Sequence, residues 1–249
     1  ILCINNAKVN VMKCNFIRNQ ASINGGAIYA ETGAINLNNC NFYDCSAGKD
    51  TDDESHGGAV YLNQTSSGDF EFCAGNLFNR CTAGYSGGAI FVFCRDVKTG
   101  SDDSEFGVFI SSSNFTECNS SIEGGAISSG IFNKETNIIE GDNDLDIRSS
   151  FFTNCNSAKG GALYFQNGTP EGDEETVIDD CHFNDCYATS DSKEGYAIYC
   201  RSYKITIEGC DFRNHKRGSL SPTNCILYVE TDEKGVAPKI NNLIFESNT

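Results

Sequence analysis

Cys40-Asn41-Phe42-Tyr43-Asp44-Cys45, followed by Gly57-Gly58-Ala59-Val60-Tyr61, is the stretch whose reading decides the fold, because both halves recur along the chain. Aligned on the phenylalanine, a second column stands three residues later: Phe16 with Asn19, Phe42 with Cys45, Phe78 with Cys81, Phe115 with Cys118, Phe152 with Cys155, Phe183 with Cys186, Phe212 with His215 and Phe245 with Asn248. The glycine half returns as Gly25-Gly26-Ala27-Ile28, Gly57-Gly58-Ala59-Val60, Gly87-Gly88-Ala89-Ile90, Gly124-Gly125-Ala126-Ile127, Gly160-Gly161-Ala162-Leu163 and the degraded Gly195-Tyr196-Ala197-Ile198. Ile226-Leu227-Tyr228 fills the next slot without glycines.

Successive phenylalanines are 26 to 37 residues apart, a period that belongs to stacked supersecondary units. Apolar residues alternate in Val9-x-Val11, Ile35-x-Leu37, Val108-x-Ile110, Leu145-x-Ile147 and Ile205-x-Ile207, which is the period of strands. A unit of 26 residues with glycine corners is too short for a crossover helix. The pattern therefore predicts an all-β, single-domain parallel β-helix of about eight coils, with coils stacked at roughly 4.8 Å into a rod of roughly 40 Å. A right-handed sense is expected, as for parallel crossovers in general. The glycine pairs are assigned to corners of positive φ.

Insertions fall at two corners. After the phenylalanine come 48–56, 187–194 and 216–223; after the glycine strand come 63–69, 95–105, 133–144 and 166–175. Insertion at corners leaves the ladders intact and places variable loops on the surface.

The alternation of Phe-x-x-Asn/Cys with Gly-Gly-Ala-Ile/Val/Leu resembles the repeat of the chlamydial polymorphic outer membrane proteins, from Phe16 to Phe245. The resemblance implies a right-handed β-helix displayed on a cell surface, with adhesion among the family's roles. Two departures are plain. Cysteine replaces asparagine in five of the eight registers, and the repeats fill residues 1–249 with no outer-membrane barrel expected among them.

The 249 residues carry a net charge of −16 and 39% hydrophobic residues, with three prolines, one methionine and no tryptophan. The charge argues against nucleic acid or an anionic membrane as direct partner. Ile1-Leu2-Cys3 aligns with the Ile28 region, so residues 1–249 are expected to be one β-helical segment of a longer protein, cut at both ends.

The fourteen cysteines admit a disulfide framework or a packing role. The fixed positions of Cys45, Cys81, Cys118, Cys155 and Cys186 favour packed free thiols, because in-register parallel neighbours point their Cβ atoms the same way. Cross-coil bridges remain candidates at Cys14-Cys40 and Cys181-Cys210. Zinc is not expected, as no short Cys-x-x-Cys pair exists. Asp142-Asn143-Asp144-Leu145-Asp146 alternates oxygen ligands like a calcium loop, yet lacks the loop's glycine and closing glutamate, and Leu145 belongs to the ladder. No cofactor or metal is assigned.

Asparagine-linked sequons stand at Asn63, Asn114, Asn119 and Asn167. A column of Tyr29, Tyr61, Phe91, Tyr164, Tyr199 and Tyr228 follows the aliphatic residue of the glycine strand. Neighbouring strand residues face opposite sides, so with the aliphatics inside, this column forms an aromatic stripe for a sugar or protein partner. For catalysis only Asp179-Asp180-Cys181-His182 has the flavour of a site, and Asp180 and His182 are both expected to face outward as an ordinary exposed pair. The expectation is a non-enzymatic adhesin or stalk, at the cell surface or extracellular, binding a protein or glycan of another cell. The alternatives are a self-associating fibre or sheath component and, third, a β-helical polysaccharide-degrading enzyme.

Overall fold

The computed structural model describes residues 1–5, 7–31, 34–48, 55–64, 70–71, 74–94, 107–133, 138–140, 144–167, 175–189, 195–202, 204–215, 225–231 and 236–248. Among these residues there is no helix, only short strands that recur in a fixed order along the chain. The first element of each coil is the glycine strand, and eight of them form one sheet: Leu2–Cys3, Ile28–Glu31, Val60–Gln64, Ile90–Cys94, Ile127–Ser129, Leu163–Asn167, Ile198–Ser202 and Leu227–Glu230. Next comes the alternating ladder strand, from Lys8–Met12 to Lys239–Asn241, then the phenylalanine strand, eight of which form a second long sheet from Asn15–Ile17 to Ile244–Glu246. A fourth strand of two residues, such as Ser46–Ala47 or Thr82–Ala83, closes the circuit.

Each strand in these sheets pairs in parallel with the equivalent strand one coil away, so the chain is a right-handed parallel β-helix of about eight coils. The two-residue strand was not foreseen. Two residues are too few for any period to show in the sequence. One antiparallel exception, Ile131–Asn133 with Ile138–Glu140, is a hairpin within the insertion of the fifth coil. Most of the remaining insertion residues lie outside the described ones.

The inside of the rod follows from the alternation. Phe42, Phe78, Phe115, Phe152, Phe183 and Phe212 are fully buried, and their rings stack with centroids 4.6–5.0 Å apart and nearly parallel planes. The stack continues outward to Phe16 and to Phe245, which is 52% exposed. Ile28, Val60, Ile90, Ile127, Leu163 and Ile198 line the opposite wall, also fully buried.

The glycine pair has two different reasons. Gly87 has φ +64°, and a Cβ there would lie 2.2 Å from the Ile90 carbonyl oxygen. Its partner Gly88 has no positive φ; its Cβ would lie 2.1 Å from the carbonyl oxygen of Gly125, in the next coil. The first glycine is thus required by the corner, the second by the coil stacked upon it. Two further corners per coil take positive φ with ordinary residues, for example Ser112, Ser149 and Asp180 before the phenylalanine strand, and Arg80, Glu117 and Asn154 after it.

The described cysteines are all free thiols. The candidate bridges at Cys14-Cys40 and Cys181-Cys210 are not formed. Cys14 is exposed and its thiol turns to the Met12 carbonyl, whereas Cys40 is buried and donates to Val11 O at 3.4 Å. Cys181 donates to Ile147 O at 3.5 Å and Cys210 to Ile178 O at 3.6 Å, each on the neighbouring coil. The in-register ladder directs each thiol at a backbone carbonyl rather than along a disulfide dihedral.

Candidate functional site

The cysteine column performs the task that asparagine performs at the end of the rod. Asn248 donates from Nδ2 to Phe212 O at 2.8 Å and accepts from His215 N at 2.9 Å. In the same slot Cys118 donates to Phe78 O at 3.6 Å, Cys155 to Phe115 O at 3.6 Å and Cys186 to Phe152 O at 3.5 Å, while the Cys81 amide donates to the Cys118 sulfur. A parallel column two residues before the phenylalanines mixes the same types: Asn76 accepts from Cys40 N at 2.9 Å and donates to Leu37 O at 3.0 Å, and Ser113 and Ser150 continue the line. Burial pushes the Cys155 and Cys200 thiols well above the ordinary range. A buried thiol with a raised pKa holds little of the reactive thiolate.

The aromatic column differs from the expected open stripe. Its inner neighbours are inside as anticipated, yet Tyr61, Phe91 and Tyr164 are buried too. Tyr29, Tyr199 and Tyr228 are half-buried. The rings stack along the rod in two runs, Tyr29–Tyr61–Phe91 and Tyr164–Tyr199–Tyr228, with Ser128 in the register between them. A second layer covers the first run: the His56 ring packs 4.4 Å from Phe91 and 5.5 Å from Tyr85. Opposite faces of the strand are therefore both buried, which alternation alone does not reveal. The His56 pKa is lowered to about 4 by burial. His56 also anchors a corner column with Ser86, Glu123 and Lys159 on successive coils, where Ser86 donates to Glu123 at 3.2 Å.

The outer face of the phenylalanine sheet is an open surface of the described rod. In the register before each phenylalanine stand Asn15, Asn41, Leu77, Asn114, Phe151, His182, Asp211 and Ile244. Asp180 is exposed and His182 is 36% exposed, and the two face outward as expected. They are not paired with each other. His182 Nδ1 lies 2.7 Å from Asp211 Oδ2, Phe151 stacks on the His182 ring at 4.6 Å, and Asp180 meets Ser149 at 3.5 Å. Arg213 binds Asp211 at 3.5 Å and Glu246 at 3.3 Å. The partner of His182 was missed because it lies 29 residues on; the ladder register supplies the missing signal.

Of the loop once compared with calcium ligands, Asp142 and Asn143 lie outside the described residues, Leu145 is buried in the ladder, and Asp146 pairs with Arg148 at 2.7 Å. Among the described residues no group of three or more His, Cys, Asp or Glu is placed to hold a metal ion. Among the described residues no helix is long and apolar enough to cross a membrane.

Comparison with protein-family models, with curated proteins and with solved structures found no match to the chain.

Proposed function

We propose that the chain is a non-enzymatic β-helical part of a cell-surface or secreted protein, serving as an adhesin or as a stalk that holds one. The observation that carries the reading is the continuous phenylalanine stack through eight registers, with long insertions confined to corners. A solenoid of this kind is a stiff spacer whose loops are free to vary. The repeat's likeness to that of the chlamydial polymorphic outer membrane proteins supports display at a surface, and the partner is a protein or a glycan of another cell. The net charge of −16 keeps copies apart in solution and disfavours nucleic acid.

The test is antibody labelling of intact cells of the source, followed by binding of the purified chain to host cells and to a glycan array. Labelling without permeabilisation and saturable binding are the expected results. Signal only after permeabilisation would overturn the surface reading, and concentration-dependent end-to-end assembly without cell binding would favour the fibre component.

A further inference from the structure

The four sequons are not equivalent once they are placed on the rod. Asn63 keeps its side-chain oxygen buried. Asn119 donates from Nδ2 to Glu117 O at 3.0 Å and accepts from Asn156, so the nitrogen a glycan would occupy is part of a ladder. The side chain of Asn167 lies outside the described residues. Asn114 is exposed on the flat phenylalanine sheet, and its amide makes no side-chain hydrogen bond among the described residues.

A second observation concerns its neighbour. Asn114 is paired in register with Phe151 on the next coil, and the Phe151 ring is 48% exposed. One face of that ring is covered by His182, 4.6 Å away. Ladder rings stack along the rod axis, so the other face of Phe151 turns toward Asn114. The short asparagine side chain does not cover it. A ring attached to Asn114 Nδ2 enters the ladder at the height where the missing ring of the stack would be.

We infer that Asn114 is the chain's asparagine-linked glycosylation site and that the first sugar of the glycan packs on the open face of Phe151. The inference rests on the surface or secreted reading above, since the transfer takes place in a secretory lumen. In the transfer the Asn114 amide nitrogen attacks C1 of the first sugar of a lipid-diphosphate-linked oligosaccharide. The N–C1 bond forms, the C1–O bond to the diphosphate breaks with the electron pair leaving on the lipid diphosphate, and the amide loses one proton to the transferase. Nothing is oxidised or reduced. The apolar C–H face of a pyranose stacks on an aromatic ring as another ring does, so the glycan shields Phe151 from water.

The full chain, secreted from eukaryotic cells behind a signal peptide, is recovered from the medium, so every molecule has passed the transferase. Peptide mass spectrometry is expected to find Asn114 occupied in most molecules and Asn119 and Asn63 largely bare, and Asn114→Gln to lose one glycan. In the folded glycoprotein, NMR of an isotope-labelled glycan is expected to show the first sugar's ring protons shifted upfield relative to the free glycan, with the shift abolished in Phe151→Leu. Occupancy at another sequon with Asn114 bare overturns the assignment, and so does a recovered chain bare at all four. Identical sugar shifts in wild type and Phe151→Leu overturn the packing. None of these outcomes bears on surface display, which intact-cell labelling tests separately.

Discussion

At the scale of single residues, backbone geometry and ladder hydrogen bonds decide which substitutions the rod tolerates. Gly88→Ala drives a methyl to within 2.1 Å of the Gly125 carbonyl oxygen and 2.4 Å of the Asn119 oxygen, both backbone atoms of the neighbouring coil. The coils must separate or the corner must rearrange, so a loss of roughly 3 kcal/mol is expected. Chemical denaturation checks it, and a loss below about 1 kcal/mol would show that the coils are not in contact there. The cysteine column leads to an opposite outcome. Because Asn248 and Asn76 make the two backbone bonds that Cys118 makes more weakly, Cys118→Asn should retain stability to within about 1 kcal/mol. Cys118→Ala should cost about 2 kcal/mol by orphaning the Cys81 amide and the Phe78 carbonyl. An asparagine variant as damaged as the alanine variant would refute the equivalence.

His56 sets a pH dependence at the same scale. Its folded pKa of about 4 lies below the unfolded value of about 6.5, so the folded state binds fewer protons in that interval. Its contribution is complete above pH ~6.5, falls as the pH drops toward 4, and amounts to roughly 3 kcal/mol at most. Burial lowers the His215 pKa as well, in the same direction. The denaturation midpoint should therefore decline between pH 6.5 and 4, and His56→Leu should flatten part of the decline. A midpoint insensitive to this variant across the interval would mean that the ring is solvated.

At the scale of the strand, a phenylalanine's cost depends on which face it occupies. Phe115 is fully buried between Phe78 and Phe152, whereas Phe151 is 48% exposed on the outer face of the adjoining strand. Phe115→Ala should cost roughly 3 to 5 kcal/mol and Phe151→Ala about 1 kcal/mol or less. Comparable losses would place the sheet register one residue off. This alternation was readable because Val-x-Ile repeats with a period of two that names the inward face, while the three-residue spacing of Phe-x-x-Cys keeps both residues inside by way of a positive-φ corner between them, such as Glu117. Three features of the strands were not readable. The two-residue strands carry no period; the first run of the aromatic column is buried on its outer face by His56, a neighbour across the coils; and the positive-φ corners at Ser149 or Glu117 use residues that give no local sign of a left-handed turn. The outer-face partner of His182 likewise lies a full coil away, so the Asp180–His182 proximity in sequence pointed to the wrong carboxylate.

At the scale of the whole molecule, the ladders set a rod whose length counts coils rather than residues. Corner charges help to fix the order of coils, since Arg80 binds Asp44 bidentately at 2.7 and 3.1 Å and holds its carboxyl below the usual range. At 53% and 38% side-chain exposure this pair contributes register more than stability. The insertions between coils alter sequence separation without altering height. Spin labels introduced as non-natural amino acids at Asn15 with His182, Asp211 or Ile244 in turn sit in one outward column, five, six and seven coils apart. Pulsed electron resonance should return distances of about 24, 29 and 34 Å, one strand spacing of about 4.8 Å per coil. Distances that fail to increase by a constant step from one coil to the next would contradict the stacked β-helix.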